Sequence, residues 1–287
     1  MTLNNTNQKR SFIHHAWDII ATAFIFFLIF MGGFIFGGVF CIYTWAYRAK
    51  NPKLQHYQAQ KIVHHLYQFV VYLMTHMGLV QLDVFIHKDI DTKPGRDNDW
   101  FKKQALKPHD GILFIANHPT LIDIVVLLSL CPQLSCIVKK ELSHHVLLRY
   151  VIRAMGYISN EDPMAALDDC VSKLKQGDQL MIFPEGTRSA PYGLNPFHSG
   201  TALIALRAQC PLLPILIHAN PPFLTKSHKW YQVPYLKPKL SIHVYPQWPK
   251  EYGDQKTSLR NQVQALNSRL WQFYQYRLKK LHDSKSS

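Results

Sequence analysis

The chain has 287 residues, of which 47% are hydrophobic and 17% are charged, and its formal net charge at pH 7 is +14. This length suits one domain plus a membrane anchor, and it excludes the class of small proteins that cannot form a hydrophobic core. The positive charge favours an acidic partner, such as a membrane surface or a phosphate-rich cofactor. Nucleic acid is excluded as a partner because the sequence has no basic motif typical of a nucleic-acid-binding fold.

The N-terminal part contains an apolar stretch, residues 19–47, without a charged side chain. A straight helix of that length would be about 43 Å long, whereas the apolar core of a bilayer is about 30 Å thick. We therefore expect a tilted or extended membrane helix, or a hairpin that bends at the central glycines Gly32, Gly33, Gly37 and Gly38. A buried helix of a soluble protein is the alternative.

Basic residues, including Arg48 and Lys50, follow the apolar stretch. Basic residues at the end of a membrane segment favour the cytoplasmic side. We therefore predict that residues 1–53 form an N-terminal tail and membrane anchor. Residues 54–287 are predicted to form a second domain that faces the cytoplasm, most simply at an inner membrane.

Beyond the anchor, strand and helix patterns alternate along the chain. Residues 79–86 alternate in polarity as an edge strand does, and the Pro94-Gly95 pair predicts a loop at 89–98. We predict further strands at 112–116, 135–138, 179–183, 212–217 and 240–245, and helices at 54–78, 121–130, 142–155, 163–176, 200–209 and 257–281. Such alternation predicts an α/β fold with a mostly parallel sheet flanked by helices.

Three further features complete the outline of the second domain. Residues 220–235 are rich in proline and aromatic residues, which predicts a long loop that flanks a groove. The amphipathic helix at 257–281 either packs on the domain or lies on lipid.

The five cysteines form no C-x-x-C motif, which predicts small buried side chains in a reducing compartment. No third residue at metal-ligand spacing accompanies the paired histidines, so we predict no metal site.

The segment Asn117–Asp123, with the sequence N-H-P-T-L-I-D, joins a predicted buried strand to a predicted helix. In a continuous helix, residues five apart point in directions roughly 140° apart, so His118 and Asp123 would not meet. Pro119 changes this expectation because it disfavours helical backbone at His118 and suits the first position of a helix. We therefore expect Asp123 to orient the His118 ring and leave its other nitrogen free to accept a proton. A chance pairing of a histidine and an acid is the alternative.

The segment Phe183–Ser189, with the sequence F-P-E-G-T-R-S, follows another predicted buried strand. Charged residues at the end of a buried strand are costly unless they are used. Gly186 lets backbone approach a ligand, and Arg188 offers several donors to a phosphate or carboxylate. A tight turn with a surface Arg–Glu pair is the alternative. In a mostly parallel sheet, both segments would lie at the carboxyl ends of strands, where ligands bind.

Together these two motifs resemble those of the glycerolipid acyltransferase family, whose best-known members are the lysophosphatidic acid acyltransferases. The family motif N-H-x4-D is matched by Asn117, His118 and Asp123, and the motif F-P-E-G-T-R-S is matched by residues 183–189. A weaker motif, a proline within an apolar strand, fits Pro214. The resemblance covers roughly residues 79–245 and implies the same α/β fold.

The resemblance also implies roles for individual residues. His118 and Asp123 match the catalytic pair of the family. The matching substrate-binding residues are Glu185, Gly186, Thr187 and Arg188, together with Lys139, which follows the predicted third strand. A solvated Lys139–Lys140 pair is the alternative for the lysine. We expect backbone N–H groups near Gly186, or at the mouth of the helix, to stabilise an oxyanion.

The implied activity is that of a membrane-bound O-acyltransferase in phospholipid biosynthesis. It would move a fatty acyl group from acyl-CoA or acyl carrier protein, as the donor substrate, to the hydroxyl of a lysolipid such as 1-acylglycerol-3-phosphate. No bound cofactor is implied, membrane lipids are the expected partners, and the oligomeric state is left open.

One family motif departs from the pattern. The family usually has a glycine followed six residues later by an arginine that helps to hold the phosphate of the acceptor, but here Gly156 is followed by Asp162. Asp162 precedes Pro163, and this pair is typical of the start of a helix. The sequence H-P-T-L-I-D also resembles the corresponding motif of a bacterial subgroup associated with polyene-type lipids. A specialised or polyene-type lipid is therefore the alternative acceptor.

Two functions from other classes are also considered. A lipase or esterase would need a nucleophile in a G-x-S-x-G turn, and the sequence has none. A basic lipid-binding module that is not an enzyme would explain the charge and the anchor, but it would not explain the two motifs.

Overall fold

The computed structural model describes residues 12–47, 52–88, 111–144, 148–191, 193–250 and 257–283. Its strands are β1 (Gln81–Ile86), β2 (Leu113–Ala116), β3 (Leu134–Val138), β4 (Ile158–Ser159), β5 (Gln179–Ile182), β6 (Leu212–Asn220) and β7 (Lys239–Val244). Its helices are α1 (Phe12–Tyr47), α2 (Pro52–His76), α3 (Asp123–Leu130), α4 (Lys140–His144), α5 (Leu148–Ala154), α6 (Pro163–Lys175), α7 (Gly200–Ala208) and α8 (Leu259–Asp283). The predicted loop at 89–98, Arg48 and Lys50 lie outside the described residues.

The strands form one mixed sheet in the order β1-β7-β6-β2-β5-β3-β4. The strands from β6 to β4 are parallel to their neighbours, whereas β7 is antiparallel to β6 and carries β1 parallel to itself. The predicted α/β fold with a mostly parallel sheet is confirmed. Because β2, β3, β5 and β6 run in the same direction, their carboxyl ends meet at one edge of the sheet.

Helices cover both faces of the sheet. In β2, Leu113 and Ile115 belong to the core layer shared with α6, α7 and α8, while Phe114 and Ala116 belong to the layer shared with α2 and α3. This division follows from the alternation of side chains along a strand. Burial of each large apolar side chain contributes roughly 1.5–3 kcal/mol, so both layers hold β2, which leads directly to His118, at the centre of the fold.

The N-terminal helix α1 is continuous, which confirms the predicted single helix and excludes the alternative hairpin. It runs for 36 residues, and its segment Phe12–Gly33 is long and apolar enough to cross a membrane. Gly32 packs against α2, where a Cβ atom would lie 3.0 Å from Leu66 Cδ2, so this glycine serves a helix contact and not a bend. Ala21 and Ile25 are buried in the main core. One face of α1 therefore packs on the domain, and the predicted boundary at residue 53 stays a prediction.

Several local predictions are confirmed and one is revised. Asp162 caps α6, because its Oδ1 atom accepts from Met164 N–H at 2.9 Å and from Ala165 N–H at 3.2 Å. Helix α8 buries Leu266 and Leu270 against the domain. This confirms the predicted alternative in which its apolar face packs on the domain and does not lie on lipid. The helix predicted at 142–155 begins at Lys140, and its described residues form α4 and α5 on either side of residues 145–147, which lie outside the described residues. The described cysteine side chains are buried free thiols, as predicted: Cys131, Cys136, Cys170 and Cys210.

Candidate active site

His118 and Asp123, the predicted catalytic pair, are in hydrogen-bond contact. His118 Nδ1 lies 2.8 Å from Asp123 Oδ2. The contact forms because residues 117–122 are not helical, so the chain can place the ring over the first turn of α3. The predicted contact is confirmed. The helix predicted at 121–130, with Pro119 suited to its first position, begins at Asp123.

The carboxylate of Asp123 is fully buried and is held by more than the imidazole. Its Oδ2 atom accepts from Thr120 N–H at 2.7 Å, and its Oδ1 atom accepts from the Thr120 hydroxyl at 2.5 Å. These bonds keep residues 120–122 in a turn and explain why the helix starts late. They also offset the cost of burying a carboxylate. Because the Asp123 carboxylate accepts a hydrogen bond from Nδ1 of His118, the Nδ1 atom carries the proton and Nε2 is the basic nitrogen.

The imidazole of His118 is supported on a second side by an aromatic ring. It stacks on Phe183, with ring centroids 4.4 Å apart and an interplanar angle of 21°. The His118 side chain nevertheless remains 19% exposed. The ring is therefore fixed in orientation and still accessible to a substrate hydroxyl.

The two motifs are joined through the backbone of His118. Its N–H donates to Glu185 Oε1 at 3.2 Å and to Ser189 Oγ at 3.1 Å. Its carbonyl accepts from Ser189 N–H at 2.7 Å. Since the strands β2 and β5 are neighbours, these bonds fix the F-P-E-G-T-R-S loop against the histidine, and a shift of either loop would move both.

Glu185 lies at the centre of this junction and is 2% exposed. Besides His118 N–H, its carboxylate accepts from the Ser189 hydroxyl at 2.5 Å and from Asn195 N–H at 2.7 Å. Burial raises the pKa of Glu185, and the hydrogen bonds from Ser189 and Asn195 partly oppose that rise. These contacts give Glu185 a supporting role within the loop, and its direct contact with an acceptor stays a prediction.

Asn117 secures the end of β2 to β6. Its amide nitrogen donates to the carbonyl of Ile217 at 2.8 Å, and its amide oxygen accepts from Ile217 N–H at 2.7 Å. The side chain therefore continues the strand pairing one step beyond Ala116, the last residue of β2. His118 follows immediately, so its position depends on this pair of bonds.

Arg188 spans the groove between the motif and the loop that follows β6. Its Nη1 atom donates to the carbonyls of Leu224 at 3.0 Å and Thr225 at 2.9 Å. The Nη2 and Nε donors have no partner among the described residues. A guanidinium has five N–H donors, so Arg188 can hold this loop and bind an anionic ligand at the same time.

The remaining predicted residues lie at the same edge of the sheet. Gly186 has a φ of 62° and faces His198, where a Cβ atom would lie 3.1 Å from Cδ2, so this position requires glycine. Its N–H donates to the Phe183 carbonyl, and the oxyanion donors expected near Gly186 or at the mouth of the helix stay a prediction. Thr187 is half-buried in the same loop, and Lys139 is exposed at the carboxyl end of β3.

The segment where the family has an arginine is built differently in this chain. Gly156 adopts a φ of 65° beneath the His56 ring, and Asp162 uses its carboxylate to cap α6. Lys140 lies close by, but its amine is 3.3 Å from the Glu161 carboxylate. The segment thus offers an acidic cap where the family offers a cation.

Sequence reasoning did not assign roles to several residues that complete the site. Asn117 and Ser189 belong to the two motifs, so the motifs were the signal that could have identified them. Thr120 lies three residues before Asp123, a spacing at which a hydroxyl can reach a carboxylate near a helix start. Asn195 carries no comparable signal, because its backbone meets Glu185 only in the folded loop.

The fold and the motifs resemble those of an acyltransferase domain, and comparisons with known proteins agree. Residues 101–218 match the family model described as Acyltransferase. The whole chain also resembles the crystal structure of the 1-acyl-sn-glycerophosphate acyltransferase PlsC from Thermotoga maritima, with a TM-score of 0.66, 17% identity, and coverage of 94% of this chain and 98% of that one. At this identity the likeness concerns the fold.

Curated relatives match the same central region. A putative 1-acyl-sn-glycerol-3-phosphate acyltransferase (acl-2) of Caenorhabditis elegans is 32% identical, over 41% of this chain and 44% of its own length. A 1-acyl-sn-glycerol-3-phosphate acyltransferase of Helicobacter pylori is 34% identical, over 37% of this chain and 47% of its own length. The chain thus spans less than half the length of these relatives. Residues 101–218 are thus similar to the acyltransferase domain of glycerolipid acyltransferases.

Proposed function

We propose that this protein is a membrane-bound O-acyltransferase that moves a fatty acyl group from an acyl thioester to the hydroxyl of a lysolipid. The observation that carries the proposal is the 2.8 Å contact between His118 and Asp123, in a partly exposed site next to Arg188. The proposed acceptor is a 1-acylglycerol-3-phosphate, the substrate in the names of the relatives. The proposed donor is acyl-CoA or acyl carrier protein.

The chemistry follows from the orientation of the imidazole. His118 Nε2 takes the proton of the acceptor hydroxyl while that oxygen attacks the thioester carbonyl, and Asp123 stabilises the imidazolium that forms. A C–O bond forms, the C–S bond breaks, and the imidazolium returns the proton to the thiolate. Because a thiolate is a good leaving group, no acyl-enzyme is needed. A general base of this kind typically increases the reaction rate roughly 10²–10⁴-fold.

An apolar cavity beside the site suits the acyl chain. It lies between α1, the end of α2 and the loop after β6. Its lining is almost entirely apolar and includes Ile122, which directly precedes α3, and Leu224, whose carbonyl binds Arg188. Burying a fatty chain there contributes about 0.8 kcal/mol for each CH₂ group. The apolar lining of the cavity thus supports an acyl chain as the group transferred.

The surface around this cavity supports attachment to a membrane. The outer face of α1 exposes Phe24, Phe27 and Phe30, and the loop after β6 exposes Trp230 and Tyr235. The loop contacts α1 where Trp230 packs on Phe26 and Tyr235 stacks on His15. Exposed aromatic side chains of this kind favour the membrane–water interface. We infer that this side faces the bilayer at the inner membrane, with the domain in the cytoplasm.

The second candidate function keeps the chemistry and changes the acceptor. It is favoured by Asp162, which caps α6 at the position where the family has a phosphate-binding arginine. A specialised or polyene-type lipid without a phosphate monoester would need no cation there. Arg188 and Lys139 would then contact other anionic groups, such as the phosphates of the donor.

A transfer assay tests the proposal. Purified protein in detergent is given labelled acyl-CoA or acyl carrier protein with a panel of lysolipids, and the acylated product is measured by mass spectrometry. We expect transfer to lysophosphatidate that is lost in His118→Ala, while circular dichroism shows unchanged folding. Transfer at the wild-type rate by His118→Ala would remove this histidine from the mechanism, and turnover confined to phosphate-free acceptors would favour the second candidate.

A further inference from the structure

The C-terminal helix α8 lies outside the region matched by the acyltransferase family model, yet one of its side chains reaches the strands beneath the site. Tyr274 is fully buried, and its hydroxyl donates to the carbonyl of Ile115 at 2.5 Å. The same oxygen accepts from Ile215 N–H at 3.1 Å. A single hydroxyl from α8 thus joins the backbones of β2 and β6.

This contact lies directly ahead of the catalytic histidine. Ile115 precedes His118 by three residues, and just beyond the end of β2 the Asn117 amide bonds to Ile217. Two side chains, one from α8 and one from the residue that follows β2, therefore join the chain segments of β2 and β6 before the chain turns out to His118. Neighbouring strands in the centre of a sheet are usually held together by backbone hydrogen bonds alone. The added side-chain bonds therefore restrict the position of the backbone that leads to His118.

The same tyrosine is tied to the loop that leaves the second motif. Its ring packs edge-on against Phe197, with ring centroids 5.3 Å apart. The carbonyl of Phe197 accepts from the Asn267 side chain of α8 at 3.1 Å. Burial raises the pKa of Tyr274 well above its usual value, so the hydroxyl keeps its proton and remains a donor. Helix α8 thus contacts both segments that meet at the active site.

We propose that Tyr274 is a positioning residue for acyl transfer: by bonding Ile115 and Ile215, its hydroxyl sets the place where His118 leaves β2. This inference rests on the proposed function. A loss of the hydroxyl leaves one carbonyl and one N–H of neighbouring strands without this buried partner, and these groups then move toward other partners. Small displacements of a catalytic base are costly because the reacting atoms must be aligned closely.

The test compares Tyr274→Phe with two matched variants. Tyr276→Phe removes a hydroxyl from an exposed residue of the same helix, and Leu174→Ala removes a buried side chain from α6 in the same core layer. All three are assayed at a temperature where circular dichroism shows each to be folded. We expect Tyr274→Phe to lower kcat roughly ten- to hundredfold with the KM of the donor unchanged.

The controls separate positioning from stability. Tyr276→Phe should keep the wild-type kcat, and Leu174→Ala should keep it too although its Tm falls. A wild-type kcat in Tyr274→Phe, or an equal fall of kcat in Leu174→Ala, would overturn the inference. If the wild-type protein transfers no acyl group to any acceptor, the proposed function fails instead, so the two failures are distinguishable.

Discussion

The carboxyl ends of β2 and β5 differ sharply from those of β3 and β4, although all four lie at one edge of the same sheet. At the first pair, Asp123, Glu185 and Ser189 are buried and bonded to one another or to His118. At the second pair, Lys139 is exposed and Lys140 forms an exposed pair with Glu161.

This difference in burial suggests separate roles for the two regions under the proposed function: the first for the transfer reaction and the second for the choice of acceptor. Buried polar networks are costly unless complete, and once complete they hold one geometry. Exposed ion pairs contribute little and rearrange easily. Under the proposed function, the first region fixes a base and its orienting carboxylate, which any acceptor hydroxyl requires. The second region can change without disturbing that pair, and it contains Asp162, where glycerolipid acyltransferases have an arginine.

The largest expected effect follows from Asp123→Asn in the first region. The amide oxygen of asparagine can still accept from Thr120 N–H and from His118 Nδ1, but a neutral amide cannot stabilise an imidazolium as the carboxylate does. We expect kcat to fall about 10²–10⁴-fold, the range typical of a lost general base. Initial-rate measurements check this. The matched control is Asp162→Asn, since asparagine caps a helix as well as aspartate does, and a similar loss of kcat in that control would break the comparison.

An intermediate effect is expected from Arg188→Lys. Lysine keeps the charge but cannot bond the carbonyls of Leu224 and Thr225 and bind an anion together. The KM of an anionic acceptor should rise roughly ten- to hundredfold, as for one lost hydrogen bond to a charged group, with a smaller change in kcat. Arg207→Lys, at an exposed residue paired with Asp168, should leave both constants unchanged. An unaltered KM in Arg188→Lys would remove this residue from acceptor binding.

A smaller effect is expected from Asp162→Arg, which restores the family pattern in the second region. The loss of the cap costs about 1 kcal/mol, which lowers the Tm by roughly 2–4 °C in a domain of this size. The kcat should stay within about twofold of wild type, since the cap touches none of the buried network. Differential scanning calorimetry and kinetics check both. A large fall in KM for lysophosphatidate would show that the second region can bind phosphate.

The smallest effect concerns the pH dependence of stability. Burial raises the pKa of Glu185, so the stability linked to its protonated form is fully present below the unfolded pKa and is lost as pH rises through the folded pKa. The Tm of Glu185→Gln should therefore fall less than that of wild type as pH rises above the usual pKa range of a glutamate. At exposed Glu161, hydrogen bonds from His144 and Lys140 lower the pKa, so Glu161→Gln should shift the profile in the opposite direction. Parallel pH profiles of Glu185→Gln and wild type would contradict the assignment.

Local patterns in the sequence predicted most of the fold. Apolar runs such as 112–116 and 179–183 marked the buried strands, and the Asp162-Pro163 pair marked the start of α6. The motifs could be placed near one another because parallel strands end at one edge of a sheet. The approach of His118 to Asp123 could be predicted as well, since a proline between them breaks the helical spacing.

Long-range contacts could not be predicted. The parallel pairing of β1 with β7 joins residues 158 positions apart, such as Gln81 and Lys239, and no local pattern records it. The start of α3 depends on the bonds from Thr120 to Asp123, which compete with helix formation. Asn117 and Tyr274 meet partners 100 and 159 residues away, so their roles emerge only when the chain is folded.

A double-mutant cycle on His118 and Asp123 tests the central claim most directly. The kcat of wild type, His118→Ala, Asp123→Asn and the double variant is measured on protein shown to be folded. If Asp123 acts through the imidazole, Asp123→Asn lowers kcat in the wild-type background and adds no further loss to His118→Ala. Losses that multiply in the double variant would contradict a carboxylate that orients the base.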